Sequence, residues 1–124
     1  MSRKLDAAIA EELGWKVFYG KHDGYDLLED EVAHGYPPDE DQHGVTWEIP
    51  YFSEDGNTML ELDAEMRARG WSLKVFVLQN GEAQAIYFKK DHAISFGVGY
   101  ADTMPKAVAL AAYHALTGKD WQDD

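Results

Sequence analysis

The chain has 124 residues, is 45% hydrophobic and 13% aromatic, and carries a formal net charge of −12. That length matches one domain with enough apolar mass for a core. The charge argues against unaided binding to DNA, RNA or an anionic membrane, where affinity comes from Lys and Arg neutralising phosphates. The lack of cysteine excludes a disulfide framework and thiolate chemistry.

The opening "MSRKLDAAIAEELGW" has no apolar signal-peptide region, and no run approaches the roughly 18 apolar residues of a membrane span. A soluble, cytoplasmic protein is expected. The first predicted element is a helix capped by Ser2, with Leu5, Ala8, Ile9 and Leu13 on one stripe and Gly14 as its stop. A strand follows at Trp15–Tyr19.

The character then changes. Between residues 21 and 57 there are eleven acidic side chains and one lysine. Three of the four prolines, Pro37, Pro38 and Pro50, fall here, and little periodicity survives beyond "DLLEDEVA" and "VTWEI". Residues 20–50 therefore read as a long acidic loop inserted into a single domain spanning residues 1–124.

A helix of about three turns is expected next, with Met59, Leu62 and Met66 on one face and Gly70 as its stop. Thr58-x-x-Glu61 has capping-box spacing, and Ser53 is a rival cap. "WSLKVFVLQNGEAQAIYFKK" reads as a hairpin turning at Asn80-Gly81. "AISFGVGYA" reads as a third strand paired with Ala83–Phe88, across a turn at "KKDH". Gly97 and Gly99 in that strand mark a bulge or a close approach. The last helix starts at Thr103 with Pro105 in its first turn, presents Val108, Ala111, Ala112 and Ala115 to a sheet, and stops at Gly118. The expected order is α-β-(insertion)-α-β-β-β-α. This is an α+β fold with a mainly antiparallel, four-stranded sheet carrying three helices.

Three stretches together, "LDAAIAEELGWKV", "YFSEDGN…LELDAEMRARGWSLKV" and "SFGVGYADTMPKAVALAAYHAL", resemble the phage ABA sandwich domain family. Gly14-Trp15 fits that family's first helix and strand. Tyr51, Ser53 and Asp55 fit its Tyr-Ser-x-Asp element loosely, because Phe52 intervenes. Ala101, Asp102, Pro105 and Ala107 fit its last helix start, although Lys106 stands where an acidic residue often completes a capping box. The resemblance omits about residues 20–50. It implies a phage or prophage origin and helices on a sheet, and it implies no established activity or functional residue.

The chemistry-bearing residues cluster in the acidic stretch. His22, Asp23, His34, Asp39, Glu40, Asp41 and His43 are metal-ligand types, but their spacing matches neither H-E-x-x-H nor an EF-hand loop. Carboxylate pairs suited to hydrolysis are too many to be specific. There is no G-x-S-x-G, P-loop or G-x-G-x-x-G motif. Double-stranded RNA binding needs a lysine cluster at the start of the last helix, and only Lys106 stands there. His92, in a turn, and His114, on the last helix, read as ordinary surface or core-edge histidines.

Tyr19, Tyr25, Tyr36, Trp47, Tyr51 and Phe52 bracket the acids. Such aromatics either pin a loop to its domain or anchor a partner. The expected reading is a non-enzymatic phage accessory protein with no cofactor, working by contact with a protein partner, which could be basic. The contact residues expected are Tyr25, Glu29, Asp30, Glu31, Tyr36, Asp39, Glu40, Asp41 and Trp47. The alternatives are an acidic inhibitor of a host nucleic-acid-dependent defence protein, acting as a DNA mimic, and a metal-dependent hydrolase.

Overall fold

The computed structural model describes residues 4–18, 21–22, 25–26, 34–38, 47–89 and 92–122. They form α1 (Lys4–Glu12), β1 (Lys16–Phe18), β2 (Lys21–His22), β3 (Tyr25–Asp26), β4 (His34–Tyr36), β5 (Trp47–Glu48), α2 (Gly56–Ala68), β6 (Ser72–Val77), β7 (Ala83–Lys89), β8 (His92–Ala101) and α3 (Met104–Thr117). The architecture is α+β, and every strand pair is antiparallel. The chain divides into two compact units, Met1–Pro50 and Tyr51–Asp124.

In the first unit, α1 buries the expected Leu5, Ile9 and Leu13, and also Asp6, Ala7 and Ala10. Its end is a Schellman closure. Gly14 sits at φ 101°, Trp15 N–H donates to Ala10 O at 2.9 Å, and Gly14 N–H donates to Glu11 O at 3.0 Å. The expected cap Ser2 lies outside the described residues, as does Tyr19.

The expected four-stranded sheet is not formed. β1 pairs instead with β4, and β4 with β5, giving a separate three-stranded sheet; β2 and β3 pair with each other. The stretch expected to be an irregular insertion thus contributes four short strands. Gly35 is one reason this is possible. A Cβ there would fall 2.6 Å from Lys16 O and 3.3 Å from Ile49 Cδ1, so a larger residue would push β4 away from β1. Strands of two or three residues are too short to show a period in sequence.

The second unit holds a three-stranded meander, β6-β7-β8. α2 starts at a different cap from either expected one. The Asp55 side chain accepts the Asn57 N–H at 2.8 Å. Thr58 lies inside the helix, its Oγ1 within 2.6 Å of Tyr51 O and 3.0 Å of Asp55 O. Ser53 is buried in the turn before the helix. α2 ends as α1 does, on a glycine followed by tryptophan. Gly70 has φ 93°, and Trp71 N–H donates to Met66 O at 3.0 Å.

The hairpin turns where expected, but as a longer loop. Leu78 N–H donates to Glu82 O at 2.7 Å, and Gly81, at φ 89°, donates to Leu78 O at 2.9 Å. Lys89 pairs with His92, so His92 begins β8 and is not in a turn; residues 90–91 lie outside the described residues. α3 is capped by Thr103 and closed by Gly118 at φ 75°, as expected.

α3 then folds back along β8. A Cβ on Gly97 would land on Ala111 O and Ala115 N, and within 2.7 Å of Ala115 Cβ. A Cβ on Gly99 would land on Ala107 O and Ala111 N, and within 2.9 Å of Leu110 Cβ. The two glycines therefore mark a close approach. Replacing Gly99 with Ala should destabilise the protein by about 3 kcal/mol, the upper range for overpacking, because backbone atoms cannot yield. Gly56→Ala is the matched control, since a Cβ there meets nothing within 4 Å. Urea denaturation of the two variants should show a large loss for the first and none for the second.

Candidate functional site

The two faces of the β6-β7-β8 sheet differ. Side chains alternate along a strand, so the register assigns each to a face. Leu73, Val75 and Val77 align with Ala83, Ala85 and Tyr87, and these with Ala101, Gly99 and Gly97. This is the face against α3. Here Ala83, Ala85, Tyr87 and Ala101 are buried.

The opposite face is built in three rows: Ser72–Phe88–Phe96, Lys74–Ile86–Val98 and Phe76–Gln84–Tyr100. Six of these nine positions are apolar or aromatic, which makes the face a candidate contact surface. Phe76 is 46% exposed, Phe96 52% and Tyr100 50%. Phe88, Ile86 and Val98 are half-buried. The face has no carboxylate, and its single formal charge is Lys74, whose Nζ lies 5.4 Å from the Phe88 ring centroid. An exposed apolar patch on a rigid sheet is a common form of interaction surface.

His114, from α3, reaches the edge of this face along β8. Val98 N–H donates to His114 Nδ1 at 3.0 Å, and the Phe96 ring meets the His114 ring edge-on at 6.2 Å. That bond requires an unprotonated Nδ1. His114 therefore does more than a core-edge residue; it caps a strand edge.

On the helix-covered side, Tyr87 is fully buried and its hydroxyl donates to Asp63 Oδ1 at 2.9 Å. The other Asp63 oxygen holds Arg67 Nε at 3.0 Å. Burial raises the Tyr87 pKa well above the ordinary tyrosine value, and the Asp63 charge and hydrogen bond raise it further. A buried, neutral phenol that ties α2 to β7 is a structural tether.

The contact residues expected from the sequence are not gathered into one patch. Tyr36 is half-buried on β4, and Trp47 is 52% exposed on β5. Trp47 pairs with Gly35, the neighbour of Tyr36, so the two aromatic side chains leave opposite faces of their sheet. Tyr25 belongs to β3, and its side chain lies outside what is described. Glu29, Asp30, Glu31, Asp39, Glu40 and Asp41 lie outside the described residues, as do the ligand candidates Asp23 and His43. His22 and His34 are placed on β2 and β4 in backbone only. Among the described residues, no three His, Cys, Asp or Glu side chains form a metal-binding group. Asp6 and Ser53, the buried polar side chains, both have interaction partners. Among the described residues, no helix is long and apolar enough to cross a membrane.

Comparison with family models, with curated proteins and with solved structures finds no match to this chain.

The Tyr87 tether generates a pH-dependent test. Near pH 8, Tyr87→Phe should cost about 1.5 kcal/mol, the scale of a hydrogen bond to a charged acceptor. The folded pKa is raised, so this stabilisation is fully present below the unfolded value of about 10 and is lost as pH rises beyond it. Above that point the wild type should lose up to about 1.4 kcal/mol per pH unit relative to Tyr87→Phe. Paired denaturation curves from about pH 8 to 11.5 should show the gap closing.

Proposed function

We propose that this chain is a small phage- or prophage-derived protein without catalytic activity, working inside a bacterial host by binding another protein. The binding surface in this reading is the open face of the β6-β7-β8 sheet. The observation that carries it is the exposure of Phe76, Phe96 and Tyr100 together on one rigid face that lacks carboxylates. Exposed aromatics of this kind supply large contact area with few rotatable bonds, and they dominate the energetics of many interfaces. The phage origin rests on the sequence resemblance of the helix ends and the last helix.

A second reading is an acidic inhibitor of a nucleic-acid-dependent defence protein. Its support is the uneven charge. Residues 1–50 hold twelve acids and four bases, a net of −8, whereas residues 51–124 hold eleven acids and seven bases, a net of −4. A strongly acidic segment suits a basic groove and fast, steered association.

The two readings separate by salt and by mutation. Immobilised protein should retain a host partner in about 1 M salt, where charges are screened over roughly 3 Å. A Phe76→Ser, Phe96→Ser, Tyr100→Ser triple variant should lose that partner while keeping its circular-dichroism spectrum. A partner that leaves in high salt and ignores the triple variant overturns the first reading in favour of the second.

A further inference from the structure

We infer that β6 is a homodimerisation edge, at which two copies of this chain pair antiparallel about a twofold axis through Val75 and join their sheets into one of six strands. β6 pairs with β7 on one side only. Leu78 N–H donates into the hairpin, to Glu82 O. Hydrogen-bonding direction alternates along an antiparallel ladder, so Ser72, Lys74 and Phe76 also bond inward. Leu73, Val75 and Val77 then direct their N–H and C=O groups outward. Among the described residues, nothing takes those groups. The same alternation sends Val98 N–H outward on β8, where it is found bonded to His114. The β8 edge is thus blocked at Val98 by His114, and no such side chain stands on the β6 edge among the described residues.

The open edge suits a second copy. Its three outward-bonding residues are symmetric about Val75. A twofold axis there pairs Leu73 with Val77 of the second copy and Val75 with its own counterpart, so every outward group finds a partner. The residues between them pair across the axis as Lys74 with Phe76. The strand's one charge therefore meets an aromatic ring and not a second lysine, the favourable cross-strand arrangement. A register centred on Lys74 would oppose two cations. β6 also exposes apolar side chains on both faces at one end, Phe76 at 46% and Val77 at 65%. Unprotected edges of this kind template pairing. His114 interrupts the β8 edge at Val98, which disfavours a further copy there, so the pairing ends at two copies and does not propagate into a fibre.

The inference is independent of what the open aromatic face binds. Light scattering should give twice the 14.0 kDa of one chain. Val75→Pro removes an outward N–H and no internal ladder bond, so it should yield a folded monomer whose melting temperature does not depend on protein concentration, whereas that of the wild type does. Val77→Glu, at a largely exposed position, should weaken the dimer at least about tenfold, because each new carboxylate is set against the apolar Leu73 of the second copy and loses water there. It keeps the test open if the proline variant does not fold. The chain has no cysteine. Val75→Cys should therefore oxidise readily to a covalent dimer, since a bonded antiparallel pair has Cα atoms about 5.5 Å apart. Val77→Cys should not, because four residues of offset separate the two copies by roughly 14 Å. Phe96→Ser should leave the mass unchanged. A chain that stays monomeric at about 1 mM overturns the proposal. So does a dimer indifferent to both Val75→Pro and Val77→Glu, or one that cross-links at position 77 and not at 75.

Discussion

The approach of α3 to β8 through Gly97 and Gly99 is the constraint on which the C-terminal unit depends. One turn of helix advances about 6 Å in four residues, and two strand residues advance nearly 7 Å. Ala107, Ala111 and Ala115 therefore step along α3 at almost the spacing of Gly99 and Gly97 along β8. The short connection at Asp102 and Thr103 sends the helix back antiparallel, so the alanine row and the glycine pair meet in register. Backbone can then lie on backbone, as the predicted Cβ collisions at both glycines require.

That contact decides the rest of the sheet. It selects one face for burial, so Ala83, Ala85 and Tyr87 turn inward and Phe76, Phe96 and Tyr100 turn outward. It carries His114 to the β8 edge, where the ring accepts the Val98 N–H. It fixes α3 beside α2, whose Asp63 then reaches the Tyr87 hydroxyl. The histidine at the β8 edge, the open face and the tether all follow from the absence of two side chains.

The sequence made these features visible to different degrees. Helix ends were legible because their chemistry is local: Gly14, Gly70 and Gly118 all adopt positive φ at the predicted stops. The Thr103 cap, the hairpin at Asn80-Gly81 and the pairing of β7 with β8 were legible for the same reason. The cap of α2 was misread, because Thr58-x-x-Glu61 has the right spacing but Asp55 lies one turn earlier and reaches Asn57 first. The sheet order was misread for a deeper reason. Nothing in Lys16–Phe18 says which strand it will pair with, and its partner is a three-residue strand built around Gly35. The contact face was overlooked because attention fell on composition. The acidic bias of residues 20–50 is conspicuous in the sequence, whereas Phe76, Phe96 and Tyr100 become neighbours only once the register is known. Each sits in an ordinary alternating strand whose other face is the one that α3 covers.

The register also changes what the acidic bias means physically. A largely apolar, aromatic sheet face is a liability for a small protein, because such patches associate non-specifically. Net charge counters this at long range. A charge of −12 makes any two copies repel, and about 10 Å of screening at moderate salt leaves that repulsion acting at encounter distances. The repulsion is not selective, so only contacts with good short-range complementarity survive it. Carboxylates on the aromatic face itself would defeat this arrangement, since burying them against a partner would be costly. Their exclusion from all nine positions of that face, in a chain with 23 acids, fits a division of labour. The bulk of the charge sets how the molecule meets others, and the carboxylate-free face sets what it can hold.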